Sequence, residues 1–171
     1  MIFKTKRLAV RHLEHDDFAP FHEMQSDDEV MRYTTDHGNG RGLDEAENRK
    51  QLEHCIECYG KPETNFLVWA IVDEAESFVG TCAIVRTDDG ENEIGYRFLR
   101  SQWGRGFGTE ITAGLIDYAI RELEMDSLYA IVDVRNLASV KILDRSSLTF
   151  DREVTNEYGV TDRVYRWARE T

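Results

Sequence analysis

Three alternating glycines, in Trp103-Gly104-Arg105-Gly106-Phe107-Gly108-Thr109, stand between a segment of strand character and one of helical spacing. Glycines ahead of a helix N-terminus let successive backbone N–H groups turn inward without Cβ obstruction, and the positive end of the helix dipole adds to the same focus. The chemistry this suits is the holding of a pyrophosphate. A dinucleotide fold requires G-x-G-x-x-G with a parallel partner strand, and a P-loop requires Gly-Lys followed by Ser or Thr; neither pattern is present. Taken alone, the loop also reads as a turn that merely permits tight packing. Cys55 and Cys58 form a C-x-x-C beside His54, with Cys82 the remaining thiol and no second pair, so buried apolar thiols are expected rather than metal or redox chemistry.

The elements that must position the loop follow from periodicity. Residues 7–13 alternate apolar and polar side chains, as a half-buried strand does. Asp16 is placed to cap a helix carrying Phe18, Phe21 and Met24 or Gln25 on one side, with a short turn at 28–33 and a loop at 34–42 containing Gly38 and Gly40. A second helix spans 43–59 and stops at Gly60-Lys61-Pro62. Strands are expected at 66–72, 78–86, 91–99 and 128–134, the first of them apolar on both faces and therefore central. Hairpin-length separations at 73–77 and 87–90 imply an antiparallel meander. A helix opening at Thr109 and running to 123 buries Ile111, Leu115 and Leu123; another spans 138–146, and strands at 151–155 and 163–167 meet through Asn156-Glu157-Tyr158-Gly159.

Length and composition bound the rest. A chain of 171 residues, 41% hydrophobic and 32% charged, with two prolines and no low-complexity tract, suits one domain over its whole length. The first residues lack the apolar core of a secretory signal, and no apolar run approaches the ~18 residues of a membrane span, so a cytoplasmic protein with no membrane partner is expected. Three cysteines in a chain that needs no staples agree with a reducing compartment. A net charge of −12 excludes nucleic acid as the natural partner and favours cations, with acidic clusters around 27–29 and 44–47; such clusters serve equally as a solubilising surface.

Strand, glycine loop and helix, followed by a strand ending in Asn136 and a helix with Ser139, resemble the GNAT acyltransferases, in particular their RimJ/RimL-type branch. The resemblance runs along nearly all the chain. It is carried by Thr5-Lys6-Arg7-Leu8 with Arg11, Asp27-Asp28-Glu29-Val30-Met31-Arg32-Tyr33, Glu93-Ile94-Gly95-Tyr96, the glycine loop with Glu110, and Asn136-Leu137-Ala138-Ser139. It implies a GNAT-like α+β fold: a mixed, mostly antiparallel sheet of six to seven strands, splayed between the fourth and fifth, with helices on both faces. It also implies acetyl-CoA as co-substrate, no metal, direct transfer to a primary amine such as a protein N-terminus, a polyamine or another small amine, and a homodimer as the expected assembly.

Site residues follow from the same resemblance. Glu93, in the fourth strand beside the splay, is the expected general base, because an alkylammonium near pKa 10 must lose a proton before it can attack; by alternation alone it also reads as a solvent-facing residue. Backbone groups of Phe98, Leu99 and Arg100 are expected to hold pantetheine and the thioester oxygen. Gly104, Arg105, Gly106, Phe107, Gly108 and Thr109 would hold the phosphates, with Lys141 and Arg145 as further cations; surface ion pairs explain those cations equally well. Asn136 and Ser139 would anchor pantetheine, Ser139 also protonating the leaving thiolate, although asparagine is a good helix cap by itself. Two departures stand out: Leu143 occupies the place of a frequent tyrosine acid, and Arg145-Ser146-Ser147-Leu148 replaces a usual Lys-Leu-Gly-Phe. They leave a non-catalytic acyl-CoA-binding module as the alternative reading, and a ligand-free interaction domain as a third.

Overall fold

The computed structural model describes residues 1–34, 41–61, 64–156 and 158–169, and the structural statements below concern these residues. The strands are β1 (Phe3–Lys4), β2 (Leu8–His12), β3 (Phe66–Asp73), β4 (Phe78–Arg86), β5 (Asn92–Phe98), β6 (Ser127–Asp133), β7 (Thr149–Thr155) and β8 (Thr161–Ala168). They form one sheet in the order β1-β2-β3-β4-β5-β6-β8-β7. The expected six to seven strands are thus corrected to eight. The extra one, β1, has two residues, too few for a period to register, and is fixed by pairing Phe3 with Val10 and Lys4 with Ala9. Hairpin spacing gave the meander correctly: β2 to β5 pair antiparallel, and β5 with β6 is the parallel pair.

The helices are α1 (Phe18–Ser26), α2 (Asp28–Met31), α3 (Glu45–Cys58), α4 (Phe107–Arg121) and α5 (Leu137–Leu143). Asp16 does not cap α1. Its neighbour Asp17 instead accepts both terminal guanidinium nitrogens of Arg11, each at 2.7 Å, so the entry is a short 3-10 turn over His15–Asp17. The bidentate geometry adds strength and direction that a lone cap lacks. The loop expected at 34–42, Pro62 and Glu157 lie wholly or partly outside the described residues.

Two cores cover the two faces. On one, Phe21 and Met24 of α1 with Leu52 and Cys55 of α3 pack on Ala70, Phe78, Leu13 and Leu99. On the other, Phe107, Ile111, Leu115, Ile116 and Ala119 of α4 pack on Val10, Trp69, Ile71, Ile94, Leu128 and Ala130. Each large apolar side chain contributes about 1.5–3 kcal/mol by leaving water. With helices above and below, β3 is apolar on both faces for the reason expected of a central strand. All three cysteines are free and buried. Burial pushes the Cys55 thiol up to about 12 and Cys82 up as well, which keeps them unreactive. No helix among the described residues is long and apolar enough to cross a membrane.

Candidate active site

Between β5 and β6 the only paired register is Glu93 with Tyr129, and the Asn92 side-chain amide donates to the Ser127 carbonyl (3.1 Å) at the same end. Beyond that point the strands diverge, opening a cavity of about 1000 Å³. The ladder to β4 shows which backbone groups face it. The Leu99 amide donates to the Val79 carbonyl (3.0 Å), in line with the Thr81–Arg97 and Ala83–Gly95 pairs. Because antiparallel bonding alternates, the amides of Tyr96 and Phe98 point toward the gap and that of Leu99 does not. Leu99 is therefore corrected as an oxyanion or pantetheine donor. The Phe98 carbonyl on the gap side accepts the Trp103 indole N–H at 3.1 Å.

At the open end α4 begins at Phe107, two residues earlier than expected. Gly106 sits at φ 79° as the residue before the helix, a left-handed conformation that costs other residues about 1–2 kcal/mol. The first helical bond runs from the Glu110 amide to the Gly106 carbonyl (3.2 Å), so the amides of Phe107, Gly108 and Thr109 have no intrahelical partner. These three amides lie at the mouth of the cavity that Phe107, Gly108 and Thr109 help to line, an arrangement able to accept an anion. Gly108 is required for another reason: a Cβ there would lie 2.7 Å from Ile142 Cδ1 and 3.4 Å from the Tyr96 ring. Its absence draws α4 onto α5 and β5.

The N-terminal motif holds this loop from behind. Glu110 accepts from the Thr5 hydroxyl (2.6 Å), the Arg7 amide (2.7 Å) and Arg7 Nε (2.7 Å), and Arg7 Nη1 donates to the Arg105 carbonyl (2.9 Å). Burial opposes ionisation of Glu110, but the Thr5 and Arg7 bonds outweigh it and hold the carboxyl below its ordinary range. The guanidinium groups of Arg7 and Arg105 each lie 4.8 Å from the Phe107 ring centroid.

The two faces of β5 separate the remaining chemistry. Toward α1 stand Glu93, which accepts the Tyr129 hydroxyl at 2.8 Å, and Arg97, which donates to Gln25 at 2.6 Å. Burial first, and the Glu93 charge second, push the Tyr129 phenol up, so it remains a donor to Glu93. Toward α4 and α5 stands Tyr96, whose hydroxyl donates to Ser139 Oγ at 3.3 Å. Asn136 caps α5 by accepting the Ser139 amide at 3.2 Å. Glu93, Phe98, Gly104, Gly106, Phe107, Gly108, Thr109, Asn136 and Ser139 share the cavity lining. Leu99, Arg100, Arg105 and Lys141 are not among the residues lining it. Arg100 forms an ion pair with Asp27 (3.0 Å), whereas Arg105 donates to the neutral side-chain oxygen of Gln102 (2.6 Å). Trp103 is 49% exposed at the mouth rather than packed in the core.

The acidic cluster at 44–47 does not flank the cavity: Asp44 and Glu47 form a capping box on α3, and Glu47 pairs with Arg41 (2.9 Å), whereas Glu29 does line it. The missing glycine at Ser147 strains nothing, because Ser147 has no positive φ. The turn is closed by the Ser146 hydroxyl, which donates to the Leu143 carbonyl (2.8 Å) and accepts the Leu148 amide (3.1 Å). Sequence reasoning gave no role to Tyr96 or Tyr129, nor to the buried carboxylates Asp133 and Asp162. The alternation that placed Glu93 on one face put Tyr96 on the other, and only the fold brought Ser139 to it.

The family described as acetyltransferase (GNAT) domain matches residues 7–149, and the chain belongs to it. The protein is an acetyltransferase. It is 31% identical over 156 residues to an uncharacterized N-acetyltransferase, p20, of Bacillus licheniformis, covering 87% of this chain and 82% of that one. Among solved structures it is similar to the ribosomal protein alpha-N-acetyltransferase RimL in complex with coenzyme A (TM-score 0.81, 14% identity, 98% and 97% of the two chains). It is likewise similar to spermidine N-acetyltransferase from Vibrio cholerae in complex with CoA and spermine (TM-score 0.78, 15% identity, 95% of each).

Proposed function

We propose that this protein, as a member of the RimJ/RimL-type branch, transfers the acetyl group of acetyl-CoA to a primary amine by direct attack on the thioester. The observation that carries the reading is the single paired register between β5 and β6, at Glu93 and Tyr129, with a cavity beyond it that ends on the unpaired amides of α4. The diphosphate would rest on the amides of Phe107, Gly108 and Thr109. Pantetheine would extend along β5, where the Tyr96 and Phe98 amides face the gap and take up the charge that develops on the thioester oxygen.

Glu93 accepts the proton of the incoming ammonium, directly or through one water, and Tyr129 holds its carboxylate in place. As the new C–N bond forms and the C–S bond breaks, Ser139 passes a proton to the departing sulfur and takes one from the Tyr96 hydroxyl that donates to it. Tyr96, which burial keeps protonated, aligns that hydroxyl in place of the tyrosine replaced by Leu143. Glu29 and Glu93 in the cavity wall favour a cationic acceptor, and the spermine named with the Vibrio cholerae enzyme supports an amine of that kind. A thiol-release assay with acetyl-CoA over monoamines, polyamines and basic N-terminal peptides tests the proposal. At least one amine should drive saturable CoA release; background release with all of them, at saturating acetyl-CoA, would remove the enzymatic mechanism.

A further inference from the structure

Asp133 on β6 and Asp162 on β8 are cross-strand partners, so their side chains leave the same face of the sheet. That face also carries Tyr129, the partner of Glu93, because Tyr129, Ile131 and Asp133 alternate along β6. Both carboxylates are buried, at 4% and 1% exposure, and both line the same cavity as Glu93. Asp133 is satisfied: its Oδ1 accepts the Arg135 amide (2.8 Å) and Nε (2.9 Å), and its Oδ2 accepts Arg135 Nη2. Asp162 is not. Its Oδ2 accepts from the Asn156 side chain (3.0 Å), while Oδ1 is buried with no hydrogen-bond partner among the described residues.

The Arg135 guanidinium bonds Asp133 and makes no hydrogen bond to Asp162, which leaves Asp162 as a negative charge with one orphaned acceptor in the cavity wall. A buried acceptor without a partner is costly, and a buried charge without one more so. Burial pushes the Asp162 carboxyl up, and the charge of Asp133 adds to the effect, as expected of an anion short of a cation. We propose that Asp162, backed by Asp133, binds a second ammonium group of the acceptor while Glu93 receives the first, an inference that rests on the amine acetylation proposed above. Four residue steps along β6 carry the chain from Tyr129 to Asp133, about 13 Å at the strand rise. The acceptor is therefore a long, extended diamine or polyamine, and Arg135 sets how much negative charge it meets.

Calorimetric titration of the CoA-saturated protein with octamethylenediamine and with octylamine, equal in chain length and different by one terminal ammonium, tests this. The wild type should bind the diamine about tenfold more tightly than the monoamine, the factor that one charge-assisted hydrogen bond supplies. Asp162→Asn should abolish that preference. Arg135→Gln, which exposes a second carboxylate, should enlarge it, and this opposite sign keeps the proposal testable should Asp162→Asn fail to fold. Equal affinities in the wild type, a preference that survives Asp162→Asn, or one weakened by Arg135→Gln would overturn it. If the preference behaves as stated yet no amine or peptide of the thiol-release panel is acetylated, the charge site stands and the proposed transfer reaction falls.

Discussion

Replacing Gly106 by valine should lower acetyl-CoA affinity about a hundredfold, the loss expected when two or more charge-assisted hydrogen bonds are removed together. The reason is conformational. Gly106 holds φ at 79°, and a β-branched residue there is a genuine outlier that must move the loop toward negative φ. That rotation swings the Gly106 carbonyl off the Glu110 amide and turns the amides of Phe107, Gly108 and Thr109 away from their common focus. Space is not the obstacle, since a Cβ at 106 would meet nothing nearer than Arg7 Nη2 at 3.5 Å. The fold should therefore persist, with a stability loss near the 1–2 kcal/mol of the strain itself. Calorimetric titration with acetyl-CoA and a thermal melt on the same sample separate the two effects. Undiminished affinity would show that these amides do not hold the diphosphate.

Glu93→Gln should lower kcat by about 10²–10⁴-fold, the span of a positioned general base, with little change in acetyl-CoA affinity. Glutamine keeps the shape of the side chain and can still accept the Tyr129 hydroxyl, so the closed end of the splay should survive while the proton acceptor is lost. Initial rates with the best acceptor from the thiol-release panel, together with binding of acetyl-CoA at equilibrium, give the required split. Equal losses in turnover and acetyl-CoA affinity would make Glu93 a structural residue of the β5–β6 junction rather than the base.

Both predictions concern residues visible in the sequence, for physical reasons that differ. The glycine loop is legible because a left-handed backbone and a close helix approach tolerate almost no other residue, so Gly106 and Gly108 announce their conformations. The strands are legible because burial on one or both faces imposes a period of two or an apolar run, and hairpin spacing then orders them. What escaped was decided across long separations. The clamp of Thr5 and Arg7 on Glu110 joins positions more than a hundred residues apart, so the motif was visible while its purpose was not. Tyr96 meets Ser139 only because Gly108 lets α4 close on α5. Asp162 faces Asp133 through the register of β6 and β8, which no local pattern encodes. Asp16 stands one residue short of the cap position, which falls on Asp17, whose carboxylate binds Arg11 instead of the helix amides. Leu99 lost its expected role because ladder alternation turned its amide toward Val79.

A crystal structure of the protein with bound coenzyme A is the most direct test of the account. It should place the diphosphate oxygens about 3 Å from the amides of Phe107, Gly108 and Thr109. It should also place the thiol between β5 and β6, beside Ser139 and within reach of an amine held at Glu93. Coenzyme A seated outside the splay, with its diphosphate on Arg7 and Arg105 behind the loop, would contradict it.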